Sequence, residues 1–497
     1  MNLREKAAKG IFWSVIQKWG REAVSFFTFV ALSRLLAPED FGLVAMAFVF
    51  ITFVQVFLDQ GLGDAIVQRA DLAPEHLDTA FWISILTGCL LTVSGIALSG
   101  PVAALFSEPR LVPVLRWMSV GFVLTTLSSI QTAILQRKLA FKSLAARSVS
   151  ATMVGGIVGV GMAFAGFGVW SLVAQELAND MTAAIVLWSA SDWRPGFKIS
   201  KKHYKELFSF GASIVGNDIL DVIMRRSDDF LIGYFLGPTL LGYYNIGYRL
   251  LLVIMRVVTG ITNSVAFPTF SRIQKNPERM RRAFYTVTQY TSLLAFPVFI
   301  GLATLAPEIV QALFGKKWLP SVPVMQTLAF IGILQSLLFF NGSVIKASGK
   351  PFWQLGIMFL TSVGSVIGFL LVVKWGIVAV AASFVIVGYM VAPLSFVAVR
   401  KLIQIDFKTY LRQFLAPLIA SLMMVATFLG LKYVFAHQEL NLYLLLFIYL
   451  LVGGLTFLLA IRLMARQLYR ELLELVILVL PKWKFWEGLR IQLRRIF

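Results

Sequence analysis

The sequence predicts an all-α polytopic membrane protein with about 14 transmembrane helices. Of its 497 residues, 58% are hydrophobic and 14% are charged, and the mean hydropathy is +0.79. Soluble domains are about one quarter charged. Apolar runs of about 20 residues recur along the chain, and a helix of that length crosses a hydrocarbon core of about 30 Å. The runs are too long and continuous for the strands of a membrane barrel.

The predicted spans follow these runs and share short polar connections that leave no room for a soluble catalytic domain. They are residues 11–36, 41–59, 79–106, 113–135, 147–166, 168–190, 206–236, 239–265, 284–314, 321–346, 353–373, 376–399, 413–434 and 441–464. With the N-terminus inside, about 32 of the 45 Lys and Arg residues lie on the cytoplasmic side, as the positive-inside rule requires. We therefore expect an inner-membrane protein with both termini in the cytoplasm. The basic face should bind anionic lipid and not nucleic acid.

Two short sequence matches indicate an internal repeat. Residues 35–42 (LLAPEDFG) correspond to residues 235–242 (FLGPTLLG), and residues 167–169 (FGV) correspond to residues 375–377 (WGI). Both pairs fall at equivalent turns of a six-span unit, and repeats of this kind are a transporter architecture. We predict two pseudo-symmetric six-helix bundles, residues 1–195 and 196–405. Two additional transmembrane helices follow in residues 406–465, and a basic amphipathic cytoplasmic tail in residues 466–497.

Charged side chains at bilayer depth point to a polar pathway, because each costs about 3 kcal/mol or more unless it faces water or protein. The first span carries Lys18 and Arg21 on one helical stripe, and further stripes occur in the sixth, seventh and eighth spans. If the halves face each other, these stripes line one cavity. The predicted substrate-binding residues are Lys18, Arg21, Arg225, Arg249 and Arg256, and the predicted ion-coupling residues are Asp221, Glu176 and Asp180. A cationic cavity suits an anionic cargo such as a phosphate or pyrophosphate headgroup that carries sugars, because arginine binds phosphate oxygens bidentately.

A structural interpretation of the same charges stays open. Arg225 can pair with Asp221 or Asp229, and Lys18 can pair with Glu22, at four-residue spacing. Trp13, Tyr243, Tyr244 and Tyr248 lie near the stripes, where they could stack on sugar faces.

Other chemistry has little support in the sequence. His76, His203 and His437 all fall in predicted loops, so we expect no metal site. No Walker-type phosphate loop occurs, and we expect no cofactor and no enzymatic activity. Transport would then be passive or driven by an ion gradient.

Several sequence blocks resemble a known family. They are LSRLLAPEDFGLVAM at residues 32–46, DQGLGDAIVQ at 59–68, LQRKLAF at 135–141, RSDDFLIGYFLGP at 226–238 and FPTFSRI at 267–273. The chain is similar to polysaccharide exporters of the Wzx/WzxC type, in the polysaccharide transporter branch of the MOP flippase superfamily. The resemblance implies alternating-access transport of an oligosaccharide linked to undecaprenyl diphosphate. It also implies polysaccharide polymerase and glycosyltransferase partners.

Two other functions remain open from the sequence. One is a MATE-like drug or cation antiporter, which would need a more acidic or aromatic cavity than the basic residues here provide. The other is a membrane-embedded glycan polymerase or ligase, which would need a larger outer domain.

Overall fold

The structure is a computed structural model that describes residues 3–470 except Gln60, Ala70 and Lys275. Side chains are described for the same residues with the exception of 3–12, 15–16, 59, 201–220, 224 and 259–269. The predicted tail, residues 466–497, lies outside the described residues from 471 onward. The described chain is helical, and its α-helices are α1 Leu3–Leu35, α2 Pro38–Asp59, α3 Leu62–Gln68, α4 Pro74–Leu105, α5 Leu111–Ser119, α6 Gly121–Arg137, α7 Phe141–Phe164, α8 Trp170–Ala190, α9 Lys201–Ile273, α10 Pro277–Thr304, α11 Ala306–Leu313, α12 Val322–Leu338, α13 Asn341–Ala347, α14 Pro351–Val372, α15 Ile377–Ile403, α16 Phe407–Val434 and α17 Leu442–Met464. Short 3₁₀ helices occupy Lys316–Ser321 and Val373–Trp375.

Within the described residues, ten helical segments are long and apolar enough to cross a membrane. They match ten of the predicted spans, and the polytopic α-helical fold class is confirmed. The other four predicted spans are also helical: they are α1, α8 and the two parts of α9. In α8, Gln175, Glu176, Asn179 and Asp180 lower the hydropathy. The four spans outside the ten are the ones that carry the predicted site residues.

The 73-residue helix α9 is two helices joined at a break. Its backbone leaves helical geometry at Gly237, which has φ 82° and ψ 178°. Only glycine adopts such a positive φ at little steric cost. The break falls at the turn predicted between the seventh and eighth spans, so α9 supplies both of those spans.

Several predicted boundaries are corrected by the structure. The span predicted at 113–135 is interrupted at Val120, the one at 284–314 is interrupted at Leu305, and the one at 321–346 is divided into a 3₁₀ helix, α12 and α13. His76 was expected in a loop but lies buried in the first turn of α4, where its Nδ1 accepts a hydrogen bond from the Ala73 N–H at 3.1 Å. Pro74 explains the early start of α4, since proline is favoured in the first turn of a helix. His203 also lies in a helix, in the first turn of α9.

The described chain forms two compact units. The first comprises Met1–Ile246 with two short segments of later chain, Leu313–Trp318 and Phe369–Val380. In this unit α7 packs against α1 and α8, and α6 packs against α4 and α8. Small residues bring α7 close to both neighbours: a Cβ added at Gly156 would lie 2.4 Å from Thr28 Oγ1, and one at Gly155 would lie 2.7 Å from the Gln175 carbonyl oxygen. Such close contacts are a main source of helix association in lipid.

The second unit comprises Gly247–Ala312, Leu319–Gly368 and the chain from Ala381. Here α10 packs against α12 and α16, and α16 packs against α17. Their shared core contains Leu293, Met424, Phe428 and Phe457. These contacts attach the two additional C-terminal spans to α10.

The two turn segments that the repeat relates meet within the first unit. A Cβ added at Gly42 would lie 1.7 Å from the Pro238 carbonyl oxygen, and one at Gly242 would lie 1.9 Å from the Pro38 carbonyl oxygen. The contact is reciprocal, and only residues without a Cβ fit at both glycine positions. We name this contact of Pro38, Gly42, Pro238 and Gly242 the glycine crossing.

Candidate transport site

The register of α1 on α7 determines where the charged stripe of α1 lies. Gln17 Nε2 donates a hydrogen bond to Ser148 Oγ at 3.1 Å, and a Cβ at Gly20 would contact Val149 at 3.3 Å. At 100° per residue, Lys18 lies about 100° around the helix from Gln17 and Arg21 about 40°. The stripe therefore runs beside the helix contact and not inside it.

Two of the predicted substrate-binding residues stay accessible on α1. Lys18 is exposed, and the Arg21 side chain is 55% exposed, with Glu22 at 3.5 Å as an ion-pair partner. The pairing predicted for Glu22 was with Lys18, whereas the structure shows it with Arg21. An exposed ion pair of this kind contributes about 0–1 kcal/mol, so a phosphate group could displace Glu22 from Arg21.

Arg147 on α7 is a candidate that the sequence analysis missed. It is half-buried and interacts electrostatically with Asp180 of α8 and with Arg21 of α1. Arg147 falls at the very start of a predicted span, where charges are ordinary, and only the packing of α7 between α1 and α8 distinguishes it. Its neighbour Ser148 contacts Gln17 of α1, and this contact too is visible only in the structure.

The predicted ion-coupling residues of α8 lie close to Arg147. Glu176 and Asp180 are one helical turn apart and interact electrostatically with each other. Asp180 Oδ2 would lie 3.3 Å from a Cβ at Gly121, which places this carboxylate, from the middle of α8, against the first residue of α6. The structure therefore brings three predicted residues and Arg147 into one group, named here the charge cluster: Arg21, Arg147, Glu176 and Asp180.

The seventh-span charges form two separate arrangements. Arg225 Nε contacts Asp221 Oδ2 at 2.7 Å, and the two side chains are 75% and 47% exposed. The structure thus shows the Arg225–Asp221 pair that the structural interpretation predicted, although both side chains remain accessible to solvent. The second arrangement surrounds the two buried carboxylates Asp228 and Asp229, and we name it the carboxylate network: Arg226, Asp228, Asp229, Tyr244 and Asn245.

The carboxylate network joins the two parts of α9 across the break at Gly237. Tyr244 donates its hydroxyl to Asp228 Oδ2 at 2.9 Å, and Asn245 Nδ2 donates to Asp229 Oδ1 at 3.2 Å. Arg226 contacts Asp229 Oδ2 at 2.9 Å. Because Asp228 and Asp229 are each less than 10% exposed, these partners satisfy carboxylates that would otherwise be costly to bury. The network holds the helical hairpin together.

Two predicted arginines lie in the second unit. Arg249 and Arg256 are both exposed. Their assembly into one site with Lys18 and Arg21 stays a prediction.

The aromatic residues expected to stack on sugars divide into different roles. Tyr244 is fully buried in the carboxylate network and cannot contact a ligand face. Trp13 has the Lys142 ammonium 5.8 Å from its ring centroid. Tyr243 packs edge-on against Trp318 at 6.0 Å. The described residues contain no group of three or more His, Cys, Asp or Glu that could hold a metal ion.

Ten helices of spanning length among the described residues and their close small-residue packing define a multi-pass membrane protein. A solved structure titled "Lipid II flippase MurJ, inward closed conformation" has the same fold, with a TM-score of 0.73 over 92% of this chain and 99% of that chain at 15% identity. Residues 31–323 match the family described as "Polysaccharide biosynthesis protein". The chain belongs to this family.

Named relatives agree with this assignment. The teichuronic acid biosynthesis protein TuaB of Bacillus subtilis is 27% identical over 366 residues, covering 72% of this chain and 76% of the relative. The lipopolysaccharide biosynthesis protein WzxC of Escherichia coli is 26% identical over 352 residues, covering 70% and 72%. The resemblance to Wzx/WzxC-type exporters is confirmed, and the chain is a transporter, not an enzyme.

Proposed function

We propose that the protein is a flippase that moves a lipid-linked oligosaccharide, the precursor of a surface polysaccharide, across the bacterial inner membrane. The cargo would be carried on undecaprenyl diphosphate, and both chain termini would lie in the cytoplasm. Membership of the polysaccharide biosynthesis family over residues 31–323 is the observation that carries this proposal. The lipid II flippase fold and the cationic side chains at bilayer depth support it.

The diphosphate would be held by the five predicted cations Lys18, Arg21, Arg225, Arg249 and Arg256. Arg21 and Arg225 each have a carboxylate partner but are more than half exposed, so an anionic headgroup can compete for them. Guanidinium groups suit a diphosphate because they donate two parallel hydrogen bonds to its oxygens. Anionic lipid at the cytoplasmic face would contact the basic loops.

Energy coupling would use Glu176, Asp180 and Asp221. In the charge cluster, Asp180 attracts Arg147. A proton or sodium ion bound at Glu176 and Asp180 would remove this attraction and leave Arg147 available to the diphosphate. Cargo and ion binding would then depend on each other, as linkage between two sites requires.

The test is polysaccharide export by a host strain whose own exporter gene is deleted. We expect Arg21→Ala, Arg249→Ala and Arg256→Ala each to reduce export at least tenfold, whereas Arg21→Lys keeps part of it. Lys198→Ala is the control, because Lys198 is 75% exposed and pairs with Glu75 near the start of α4. Immunoblots of the membrane fraction check insertion. Normal export from all three alanine variants would refute the cationic site.

A MATE-like drug or cation antiporter is the alternative outcome. It would be indicated if the purified protein bound a cationic dye and the dye competed with ion entry. Export that is independent of imposed proton and sodium gradients in vesicles would contradict the ion-coupling role of Asp180 and Glu176.

A further inference from the structure

The segment Leu313–Trp318 is a short piece of chain held by the first unit, although Ala312 before it and Leu319 after it belong to the second unit. We name this segment the strap. Gly315 lies within it with φ 95°, a conformation that a side chain would strain.

Polar groups of the strap bind the end of α1. Lys317 Nζ donates to the carbonyl oxygens of Arg34 at 2.9 Å and Leu36 at 2.6 Å, and Trp318 Nε1 donates to the Ser33 carbonyl oxygen at 2.7 Å. In the opposite direction, Arg34 Nε donates to the Leu313 carbonyl oxygen at 2.8 Å. The last carbonyls of a helix have no partner within it, and a cation is favourable there.

Aromatic side chains of the strap lie beside the glycine crossing. Trp318 is fully buried, with its ring centroid 5.4 Å from Phe41 and 6.0 Å from Tyr243. Phe41 precedes Gly42, and Tyr243 follows Gly242. The strap thus touches both helices that meet at the crossing as well as α1.

All of these polar contacts end on backbone carbonyl oxygens near a helix end, and Lys317 and Arg34 are exposed. Water can replace each donor when the strap leaves, so the carbonyls are not left without a partner. A permanent attachment does not require that water can replace its donors, whereas a contact that opens repeatedly does.

We propose that the strap is the latch of a gate, closed in this structure, which must release α1 and the glycine crossing in every transport cycle. The proposal rests on the proposed alternating-access function. In the predicted orientation, the gate closes the outer end of the pathway.

Cross-linking tests the latch directly. Arg34→Cys and Lys317→Cys are combined in a Cys89→Ser background, since Cys89 is the one cysteine of the chain. A short bifunctional methanethiosulfonate joins the exposed pair, and dithiothreitol cleaves the link. We expect cross-linking to reduce export at least tenfold and reduction to restore it.

The matched control is the pair Glu39→Cys and Arg110→Cys. These side chains contact each other at 2.6 Å, are 41% and 55% exposed, and both lie outside the strap. Cross-linking them should leave export unchanged. Normal export by the cross-linked strap pair would overturn the latch.

Two further measurements keep the result unambiguous. If the unsubstituted chain does not restore export to the deletion host, the transport function fails and not the latch. If the strap pair is inactive before cross-linking, labelling of a Ser33→Cys variant tests the latch instead. Ser33 is fully buried under Trp318, so a reagent reaches this position only when the strap is released. A membrane-impermeant maleimide added outside should label this cysteine in cells that export polysaccharide, and absence of labelling would overturn the latch.

Discussion

Alanine substitutions at the glycine crossing should destabilise the protein in a way that reveals the reciprocal geometry. Ordinary van der Waals contact begins at about 3.4 Å, so the Gly42→Ala methyl needs a separation of 3.4 − 1.7 = 1.7 Å and the Gly242→Ala methyl needs 3.4 − 1.9 = 1.5 Å. The obstructing atoms are backbone carbonyls, which cannot rotate away. Overpacking of this kind costs about 1–3 kcal/mol, and we expect each single variant to lose that much.

The double variant provides the sharper test. One movement of the two segments apart accommodates both methyl groups, so the second substitution should add little to the first. The two single losses sum to about 2–6 kcal/mol, whereas the double variant should lose only about 1–3 kcal/mol. The difference, about 1–3 kcal/mol, is of the size measured for residues in direct contact.

The assay is equilibrium unfolding of the four proteins in mixed micelles of detergent and SDS. Gly161→Ala in α7 is the control, because a Cβ there would have no heavy atom of the described chain within 4 Å. It should keep or slightly raise the stability, since alanine favours helix by about 1 kcal/mol over glycine. Strictly additive losses at Gly42 and Gly242, or unchanged stability in either single variant, would refute the crossing geometry.

Two further substitutions test the carboxylate network and an ion pair at the turn between α4 and α5. Tyr244→Phe should cost about 1.5–3 kcal/mol in the same unfolding assay, because buried Asp228 loses a charge-assisted hydrogen bond. The control Tyr433→Phe, at a side chain that is 86% exposed, should change stability by less than about 0.5 kcal/mol. Equal losses in the two variants would contradict the network. The Arg110 guanidinium is hydrogen-bonded to Glu108 and lowers the pKa of that carboxyl. The ion pair therefore stabilises the folded protein above the unfolded pKa of Glu108, about 4.3, and this stabilisation is lost as the pH falls through the lower folded pKa. Arg110→Ala should therefore lower stability by about 0–1 kcal/mol at pH 7 and become indistinguishable from the parent in acid; a difference that persists at low pH would contradict this.

Hydropathy was sufficient to predict the helices, because a bilayer admits few alternatives to a continuous apolar helix. Ten spans were found in this way, and the two parts of α9 were separated correctly by the Gly-Pro pair at residues 237–238. The boundary errors have a local cause. The interruption at Val120 lies inside a largely apolar run, whereas the one at Leu305 is followed by Pro307 and Glu308, a local signal that the hydropathy average of the predicted span concealed.

The candidate site could be predicted only in part. Arg21, Glu176 and Asp180 were recognised because charges are rare at bilayer depth, and the structure places them in one cluster. Arg147 was missed, since its neighbours in space come from α1 and α8 and not from its own sequence. Tyr244 was given a sugar-binding role, although burial against Asp228 commits it to the hairpin.

Sequence alone determined the class of protein, because hydropathy, charge asymmetry and the family blocks are properties of the linear chain. It also showed that two segments 200 residues apart are alike. Only the tertiary structure decided that these segments touch, that Lys317 and Trp318 bind the end of α1, and which charges are paired. Such contacts depend on the register of one helix on another, and periodicity along a single helix contains no information about the register of its neighbours.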